Sequence, residues 1–427
     1  MSAPVEVRPA RPSPEVELTV PGDKSISHRA ILLNSLAEGQ AEIRNLGPGA
    51  DVRSSIACMR QLAVEIDESD GLFHVDAQGF GGLIESRPPL DCGNSGTTAR
   101  LLSGILAGQP FSSVLVGDQS LSRRPMARVA KPLRLMGATI EGETLPLTIR
   151  GGHLHGVEYQ PDVASAQVKS CVLLAGLFGS SPTTVVEPVP TRDHTERLLR
   201  AMGARVEIDS PRITVWPPSQ LKAVDIDVPG DFSSAAFWLV AGLILPAARV
   251  TVRNVGMNES RTGLLDVLRE MGASVEVCDL HEVGGEPVAD LVASRSWLRG
   301  VSVGGTIIPR LIDEVPILAV AAALAEGTTS IRDAAELRVK ESDRIAAVAR
   351  GLTSLGVRVE ELPDGLIIHG GSSFSGAALE TLGDHRLAMA WAIAGLASRE
   401  GVRIDDRECT SVSYPSFWHD LGRFGEG

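Results

Sequence analysis

The sequence predicts an α/β (α+β) fold of two similar domains, each built from three copies of one repeating unit around buried helices. Three observations support this prediction. The 427 residues, of which 43% are apolar, suffice for two or three domains with ample core. A helix-then-strand segment recurs six times along the chain. A second recurring segment, rich in Ala, Leu and Gly, shares the period of the first without sharing its phase.

The first recurring segment is a helix that ends at glycine or alanine, followed by a strand that alternates apolar and polar residues. Its copies end at residues 63, 137, 203, 272, 356 and 422, of which the last is marginal, so the spacings run from 66 to 84 residues. Chance similarity of the Met-Gly-Ala endings is the alternative explanation. The common period of two separate markers argues against it.

The length of the repeating unit, 66 to 84 residues, distinguishes between possible folds. A (β/α)₈ barrel would show eight units of about 30 residues, and a dinucleotide-binding fold would place a glycine fingerprint after its first strand. Six units divide instead into three plus three. Because Val228-Pro-Gly-Asp231 echoes Val20-Pro-Gly-Asp23, we expect the chain to pass between the halves at both places. The predicted domains are residues 21–230, and residues 1–20 together with 231–427.

Composition and charge exclude several classes of protein. The net charge of −13 and the pI near 5.2 argue against a surface for nucleic acid or anionic membrane. The longest apolar run, residues 235–248, includes Gly242 and Pro246 and is shorter than the roughly 20 residues of a membrane span. The N-terminal stretch has no apolar signal core, and five scattered cysteines suggest neither disulfides nor zinc. We therefore expect a cytoplasmic protein.

Basic residues recur at the predicted starts of the buried helices. They are Lys24, Arg29, Arg100, Lys169 and Arg386. A cation at a helix N-terminus opposes the macrodipole, at a cost of a few tenths to about 1 kcal/mol. A bound anion reverses that sign, because backbone N–H groups, dipole and side chain then all attract it. Scattered surface charge explains any one of these residues, but it does not explain the repeated register.

The predicted second helices repeat the pattern. Arg123–Arg124, Thr191–His194 and Arg338–Arg344 each precede such a helix. Repetition places all these termini on equivalent edges, so we expect them to converge on one anion-binding cleft. Gly96 leaves room there for close approach of a ligand. A P-loop is rejected, because the glycine required upstream of Lys24 is missing.

Two acidic residues lie among these cations. Asp313 and Glu341 are close in sequence to Arg310, Lys340 and Arg344. A carboxylate among cations is usually a salt-bridge partner, but in a cleft built for anions it can also donate or accept a proton. The residues alone leave both interpretations open.

The motifs resemble those of the 5-enolpyruvylshikimate-3-phosphate synthase family of enolpyruvyl transferases, over essentially the whole chain. The matching segments are Pro21–Arg29, Gly93–Thr97, Arg123–Met126, Arg338–Arg344, Asp384–Arg386 and Cys409–Thr410. The resemblance implies two domains of three βαβαββ units each, with an interdomain active-site cleft that closes on substrate. It also implies transfer of the enolpyruvyl group of phosphoenolpyruvate to the 5-hydroxyl of shikimate 3-phosphate, with release of phosphate through a tetrahedral intermediate.

The same resemblance implies roles for individual residues. Asp313 is expected to be the base and Glu341 the acid, with Lys24 stabilising charge and His385 orienting Glu341 or the phosphate. The residues expected to hold shikimate 3-phosphate are Lys24, Ser25, Arg29, Ser165, Ala166, Gln167, Asp313 and Lys340, with Thr191 or Arg192 assisting. Those expected to hold phosphoenolpyruvate are Lys24, Gly96, Arg124, Gln167, Arg344 and Arg386. No cofactor or metal is implied, and we expect a monomer whose partners are the two substrates.

Two positions depart from the family pattern. Ala166 stands where many members have a second serine, and Cys409-Thr-Ser-Val412 lacks a lysine that many carry. One rival is the sister enzyme that acts on UDP-N-acetylglucosamine, which typically carries a reactive cysteine in a mobile loop; residues 117–125 contain none. The other rival is a non-catalytic anion-binding repeat protein, which would not need Asp313 or Glu341.

Overall fold

The computed structural model describes residues 3–10 and 15–425. Short strands alternate with helices over the whole of this range. The strands are β1 (Val5–Val7), β2 (Val16–Thr19), β3 (Glu38–Arg44), β4 (Glu65–Ser69), β5 (Leu72–Gln78), β6 (Leu90–Asp91), β7 (Ser112–Val116), β8 (Thr139–Glu141), β9 (Leu147–Arg150), β10 (Glu158–Tyr159), β11 (Thr183–Val186), β12 (Val206–Asp209), β13 (Arg212–Val215), β14 (Ile226–Asp227), β15 (Arg249–Gly256), β16 (Ser274–Val283), β17 (Glu286–Ser294), β18 (Ser302–Val303), β19 (Thr328–Ile331), β20 (Arg358–Leu362), β21 (Gly365–His369), β22 (Ala377–Leu379) and β23 (Val402–Ile404).

The α-helices fall between these strands. They are α1 (Lys24–Asn34), α2 (Ala50–Gln61), α3 (Gly96–Ala107), α4 (Ala127–Leu135), α5 (Ala166–Gly176), α6 (His194–Ala201), α7 (Phe232–Ile244), α8 (Gly263–Glu270), α9 (Ile308–Leu311), α10 (Val315–Leu324), α11 (Arg344–Ser354), α12 (His385–Ala397) and α13 (Phe417–Leu421). Among the described residues, none of these helices combines the length and hydropathy needed to cross a bilayer.

Backbone contacts divide the chain into two compact units. The middle unit consists of Gly22–Val228 together with the turn Val283–Gly285. The terminal unit consists of the chain up to Pro21, Pro229–Glu282 and the chain from Glu286 onward.

The middle unit contains three sheets of one topology. Their strand orders are β14-β3-β5-β4, β6-β7-β9-β8 and β10-β11-β13-β12. In each sheet the first pair of strands is parallel and the other two pairs are antiparallel. In the last two sheets a helix joins the parallel strands and another precedes the final hairpin, which gives the order βαβαββ.

The terminal unit repeats this plan in the sheets β16-β17-β15-β2 and β18-β19-β21-β20, and its third sheet, β1-β23-β22, has three strands. The three-stranded sheet includes β1 from the N-terminal end of the chain, antiparallel to β23 with Val5 opposite Ile404. The predicted fold class, two similar halves of three βαβαββ units, is confirmed. The longest spacing in the sequence, between residues 272 and 356, includes the extended hairpin β16–β17.

Two strands lie in a different sheet from the one that their position in the sequence suggests. Strand β2 immediately precedes α1, yet it pairs with β15, where Val16 lies opposite Val250. Strand β14 immediately precedes α7, yet it pairs with β3, where Ile226 lies opposite Ile43. Each strand thus completes the first βαβαββ copy of the unit that the chain is about to leave.

Three helices with buried, largely apolar surfaces pack on one another in each unit. In the middle unit they are α1, α3 and α5, and in the terminal unit α7, α10 and α12. These are the Ala/Leu/Gly-rich runs of the sequence, and every residue of α7 is buried. Small residues allow close approach: a Cβ atom added at Gly104 of α3 would lie 2.3 Å from the carbonyl oxygen of Cys171 in α5.

Replacing Gly104 by alanine is expected to lower the free energy of unfolding by about 1–3 kcal/mol, because the added methyl forces α3 away from α5. Alanine is the better helix former by about 1 kcal/mol, so local propensity predicts the opposite sign. Urea denaturation measures the difference. The matched control is Gly422→Ala, where a Cβ atom meets nothing within 4 Å. Equal stability changes for the two variants would contradict the packing argument.

Candidate active site

Hydrogen bonds join the N-terminal turns of four helices in the middle unit. From α1, Lys24 Nζ donates a hydrogen bond to Asp51 Oδ2 in α2 at 3.0 Å. From α3, the Thr98 hydroxyl donates to the backbone oxygen of Asp51 at 3.3 Å. From α5, the Gln167 side-chain amide donates to the Thr97 hydroxyl in α3 at 2.9 Å. These contacts bring the starts of α1, α2, α3 and α5 to one edge of the unit.

Side-chain caps begin three of these helices. Asp23 accepts a hydrogen bond from the backbone of Ile26 at 2.9 Å, and Ser95 accepts one from Thr98 at 3.1 Å. Ser165 accepts from the backbone of Val168 at 3.4 Å, so that Ala166 is the first residue of α5. A cap satisfies only one of the amides that a helix start leaves without an internal partner, and the others suit an anion.

Gly96 lies against two guanidinium groups. A Cβ atom at this position would be 3.0 Å from Arg100 Nη1 and 3.4 Å from Arg124 Nη1. Arg124 is buried and donates to the Asn94 side-chain oxygen at 2.8 Å. Arg100 donates to the Gln167 side-chain oxygen. A glycine at the start of α3 therefore leaves space between the helix amides and two cations.

Arg29 ties α1 to two other helices. Its Nη1 donates to the backbone oxygen of Ser25 at 2.8 Å, its Nη2 to the Ser170 hydroxyl at 2.7 Å, and its Nε to the Thr195 hydroxyl at 2.6 Å. The side chain is buried. Arg192 lies just before α6, the helix that carries Thr195, so the segment around it is held next to the start of α1.

The position of Lys169 at a helix start predicts a side chain that binds an anionic ligand, but Lys169 does not have this role. It is 1% exposed, and its Nζ lies 2.8 Å from Glu187 Oε2 and 2.7 Å from Glu196 Oε1. Burial by itself lowers the pKa of Lys169, but attraction to Glu196 and Glu187 outweighs it and raises the pKa above the ordinary value. The charge of Lys169 therefore belongs to an internal ion cluster that links α5 to α6.

Four cations surround Asp313 in the terminal unit. Lys340 Nζ and Arg344 Nη1 lie 3.4 and 3.5 Å from its Oδ1. Arg261 Nη1 and Arg386 Nη2 lie 3.8 and 3.9 Å from its Oδ2. Arg386 also donates to the backbone oxygen of Asp313 at 3.2 Å. The carboxylate precedes α10, and its neighbours come from the segments before α8 and α11 and from the starts of α11 and α12.

Arg344 holds two further carboxylates in place. Its Nη2 donates to Glu341 Oε2 at 2.7 Å, and its Nε donates to Asp384 Oδ2 at 2.7 Å. Burial pushes the pKa of Asp384 upward, but the charge of Arg344 outweighs it, so the pKa lies below its ordinary value. Burial likewise opposes the charge of Arg344, but Asp384 and Glu341 prevail and raise its pKa. The pair is therefore ionised, and it fixes the start of α11 against the start of α12.

His385 and Glu314 complete the terminal cluster. His385 is buried in the first turn of α12, between Asp384 and Arg386 in the chain. Glu314 accepts a hydrogen bond from the Ser233 hydroxyl at the start of α7, and its Oε1 lies 3.8 Å from Arg386 Nη1.

The structure places the predicted residues in two clusters. Those gathered in the middle unit are Lys24, Ser25, Arg29, Gly96, Arg124, Ser165, Ala166, Gln167 and Arg192, and those in the terminal unit are Asp313, Lys340, Glu341, Arg344, His385 and Arg386. In the middle cluster, Asp51 was not among the site residues predicted from the sequence. In the terminal cluster, Arg261 and Glu314 were not among them. A signal for Arg261 exists in the sequence, because it stands directly before the second helix of its repeat, as Arg124 and Arg192 do.

Comparison with known proteins identifies the family. The sequence model of EPSP synthase (3-phosphoshikimate 1-carboxyvinyltransferase) matches residues 12–421. The chain belongs to the EPSP synthase family. Curated relatives named 3-phosphoshikimate 1-carboxyvinyltransferase include that of Herpetosiphon aurantiacus, 51% identical over 96% of both chains, and that of Desulforudis audaxviator, 52% identical over 95% of this chain and 96% of its own.

Solved structures agree with this assignment. The EPSP synthase of Acinetobacter baumannii superimposes with a TM-score of 0.88 at 42% identity, covering 99% of this chain and 98% of its own. The enolpyruvyl transferase NikO of Streptomyces tendae shares the fold, with a TM-score of 0.80 at 19% identity over 100% of this chain and 98% of its own. The resemblance to the EPSP synthase family that the motifs indicated is thus confirmed. The roles of individual residues remain predictions.

Removing the charge of Lys169 is expected to destabilise the folded protein. Lys169→Met leaves two buried carboxylates without their cation and should lower the free energy of unfolding by about 3–5 kcal/mol. The triple variant Lys169→Met/Glu187→Gln/Glu196→Gln leaves no charge in the cluster and should recover most of this loss. Lys131→Met, which breaks an exposed pair with Asp162, should cost less than about 1 kcal/mol. Chemical denaturation of all three variants tests the argument, which fails if Lys169→Met is no worse than Lys131→Met.

His28 is expected to make stability depend on pH. It is fully buried and shares a hydrogen bond of 2.8 Å between its Nδ1 and the Ser55 hydroxyl. Burial, aided by the charges of Lys24 and Arg29 and opposed by Asp23, lowers its pKa well below 6.5. The unfolded chain therefore binds a proton below pH 6.5 that the folded chain does not, so this contribution to stability is present above pH 6.5 and is lost as the pH falls.

Comparison of wild type with His28→Gln isolates this effect. Between pH 7 and pH 5.5 the wild type should lose about 1 kcal/mol more unfolding free energy than the variant, since one proton per molecule corresponds to about 1.4 kcal/mol per pH unit. The difference between the two proteins at pH 8 serves as the baseline. Stability curves that run parallel from pH 8 to pH 5.5 would show that His28 is not held neutral by the fold.

Proposed function

We propose that this protein transfers the enolpyruvyl (1-carboxyvinyl) group of phosphoenolpyruvate to the 5-hydroxyl of shikimate 3-phosphate and releases phosphate, a step of chorismate and aromatic amino acid biosynthesis. Membership of the EPSP synthase family and the shared name of its curated relatives support the activity. The observation that carries the proposal is the setting of Asp313, a buried carboxylate with four cations within 4 Å. Both substrates are anions, and the reaction needs a proton acceptor among the groups that bind them.

The cations account for the binding of the two anionic substrates. Phosphate and carboxylate groups gain most from guanidinium and ammonium groups and from amides at helix N-termini. We assign shikimate 3-phosphate to Lys24, Ser25, Arg29, Ser165, Ala166, Gln167, Arg192, Asp313 and Lys340. We assign phosphoenolpyruvate to Lys24, Gly96, Arg124, Gln167, Arg344 and Arg386. Ala166 contributes a backbone amide in the first turn of α5 in place of a serine hydroxyl.

The proposed chemistry is addition followed by elimination. Asp313 takes the proton of the 5-hydroxyl while the hydroxyl oxygen bonds to C2 of phosphoenolpyruvate. Glu341 gives a proton to C3, so that the methylene becomes a methyl group and C2 becomes tetrahedral. Phosphate then leaves C2 with the electron pair of the C–O bond. The methyl group gives a proton back to the Glu341 carboxylate, which restores the double bond. Lys24 and His385 act on the charge and orientation of the phosphate.

The strength of Asp313 as a base depends on the cations around it and on whether the substrates are bound. Without substrate they favour its ionised form and weaken it as a proton acceptor. Two bound anions offset the positive charge of Lys340, Arg344 and Arg386, which makes the same carboxylate a stronger base. Proton transfer is thereby favoured when both substrates are present. Fixed charges of this kind stabilise a transition state without the reorganisation that water requires.

We keep the expectation of a cytoplasmic monomer as part of this proposal. All five cysteines are free thiols, and four of them are buried. Free thiols are ordinary in a reducing compartment.

Asp313→Asn is expected to bind both substrates at least as well as the wild type, because it removes a negative charge from a site for anions. Its kcat should fall by about 10²–10⁴, the usual contribution of a general base. Phosphate release measures turnover, and calorimetric titration measures binding. The matched control is Asp266→Asn, an exposed residue of α8 that pairs with Arg310.

The same assay separates the alternatives. A non-catalytic anion-binding protein binds both substrates without releasing phosphate, and Asp313→Asn then changes nothing but affinity. The sister activity is detected by replacing shikimate 3-phosphate with UDP-N-acetylglucosamine. An Asp313→Asn variant that binds both substrates and turns over at the wild-type rate would rule out Asp313 as the base.

A further inference from the structure

Arg261 is buried in the terminal unit and faces the carboxylate of Asp313. It ends a turn in which its backbone N–H donates to Asn258 O at 2.8 Å. The Asn258 side-chain oxygen accepts from the Ser260 backbone at 2.9 Å, and its amide donates to Glu286 at 2.9 Å. This turn lies directly before α8 and fixes the point from which the Arg261 side chain leaves the backbone.

The guanidinium of Arg261 is oriented by the start of α7. Its Nη2 donates to the Asp231 carboxylate at 3.1 Å and to the Ser233 hydroxyl at 2.6 Å. Asp231 is also the N-cap of α7, where it accepts from the Ser233 backbone at 2.9 Å. With Nη2 engaged by these two groups, Nη1 of the same planar fork lies 3.8 Å from Asp313 Oδ2.

A closed circuit of polar groups links Arg261 to the second cation on this side of Asp313. The Ser233 hydroxyl, which accepts from Arg261, donates to Glu314. Glu314 lies 3.8 Å from Arg386, and Arg386 lies 3.9 Å from the same Asp313 Oδ2. The positions of the two guanidinium groups are therefore coupled through Ser233 and Glu314.

Resting on the proposed function, we propose that Arg261 is a positioning residue for the reaction: it fixes Oδ2 of Asp313 and keeps this carboxylate ionised until the acceptor hydroxyl gives up its proton. Arg344, Arg386 and Lys340 are assigned to the substrates, so their charges are offset when the anions bind. Arg261 is assigned to neither substrate and is held by Asp231 and Ser233. It thus remains as the cation that keeps the carboxylate ionised in the loaded site.

Asp313 has charged or titratable neighbours on every element around it. They are Arg261 before α8, Asp231 at the start of α7, Glu314 beside it before α10, Lys340 and Glu341 before α11, Arg344 in α11, and Asp384, His385 and Arg386 at the start of α12. Removing one cation leaves this set more negative, so the protonated form of Asp313 is favoured to a higher pH.

The test is the pH profile of kcat, which reports the ionisation of groups in the loaded site. In Arg261→Gln the acidic limb should move upward by about one pH unit, since a cation within 4–6 Å lowers a carboxyl pKa by about 1–3 units. At one unit below the wild-type midpoint, kcat should be about tenfold lower, with less than about threefold change on the plateau. Arg261→Lys keeps the charge and should restore the wild-type limb.

Two further variants keep the test decisive. Arg269→Gln makes the same substitution at an exposed site in α8 and should leave the profile unchanged. If Arg261→Gln does not fold, Asp231→Asn/Arg261→Gln replaces it, because asparagine still caps α7 and no buried carboxylate is left without its cation. The double variant should show the same upward shift.

The outcomes distinguish this inference from the function on which it rests. A wild-type profile for folded Arg261→Gln, with Asp313→Asn inactive, overturns the role of Arg261 alone. A shift in Arg261→Lys equal to that in Arg261→Gln overturns it as well, because charge is then not what matters. Asp313→Asn that turns over at the wild-type rate overturns the proposed base instead.

Discussion

The arrangement of this protein depends on keeping positive side chains at the positive ends of helices. Arg386, Arg344 and Lys24 each stand in the first turn of a helix, where the macrodipole repels them. The fold offsets that repulsion with an acid placed next to each cation: Asp384 for Arg344, Glu314 for Arg386 and Asp51 for Lys24. Each of these cations is thereby held in place by an internal acidic partner, which a bound anion would replace in the function proposed above.

Close packing of the helices makes this arrangement possible. Helix α3 approaches α5 closely because Gly104 has no side chain, and α1 is tied to α5 and α6 by Arg29. Helix starts that are locked to one another keep their charged groups within a few ångströms. Preorganisation of this kind, rather than a single strong group, is what a reaction between two anions requires, since the groups must be in place before the charges move.

Much of this could be predicted from the sequence. The repeat emerged from helix endings and Ala/Leu/Gly runs, because both markers follow from local rules of helix termination and burial. Partnership between distant residues could not be predicted: Lys169 has the register of an anion-binding cation, yet it meets Glu187 and Glu196, which come from a later strand end and helix. Arg261 was not predicted, although it shares its position before a second helix with Arg124.

The pairing of β1 with β23 and of β2 with β15 has a consequence for synthesis of the chain. The middle unit is contiguous from Gly22 to Val228 apart from a short turn, whereas the terminal unit needs both ends of the sequence. Strand β2 lies beside β15, and β1 lies beside β23, whose last residue is Ile404. When a ribosome extends this polypeptide, its first segment must wait, unpaired, until nearly four hundred further residues have emerged. Strand β1, near the beginning of the chain, is thus among the last strands to pair.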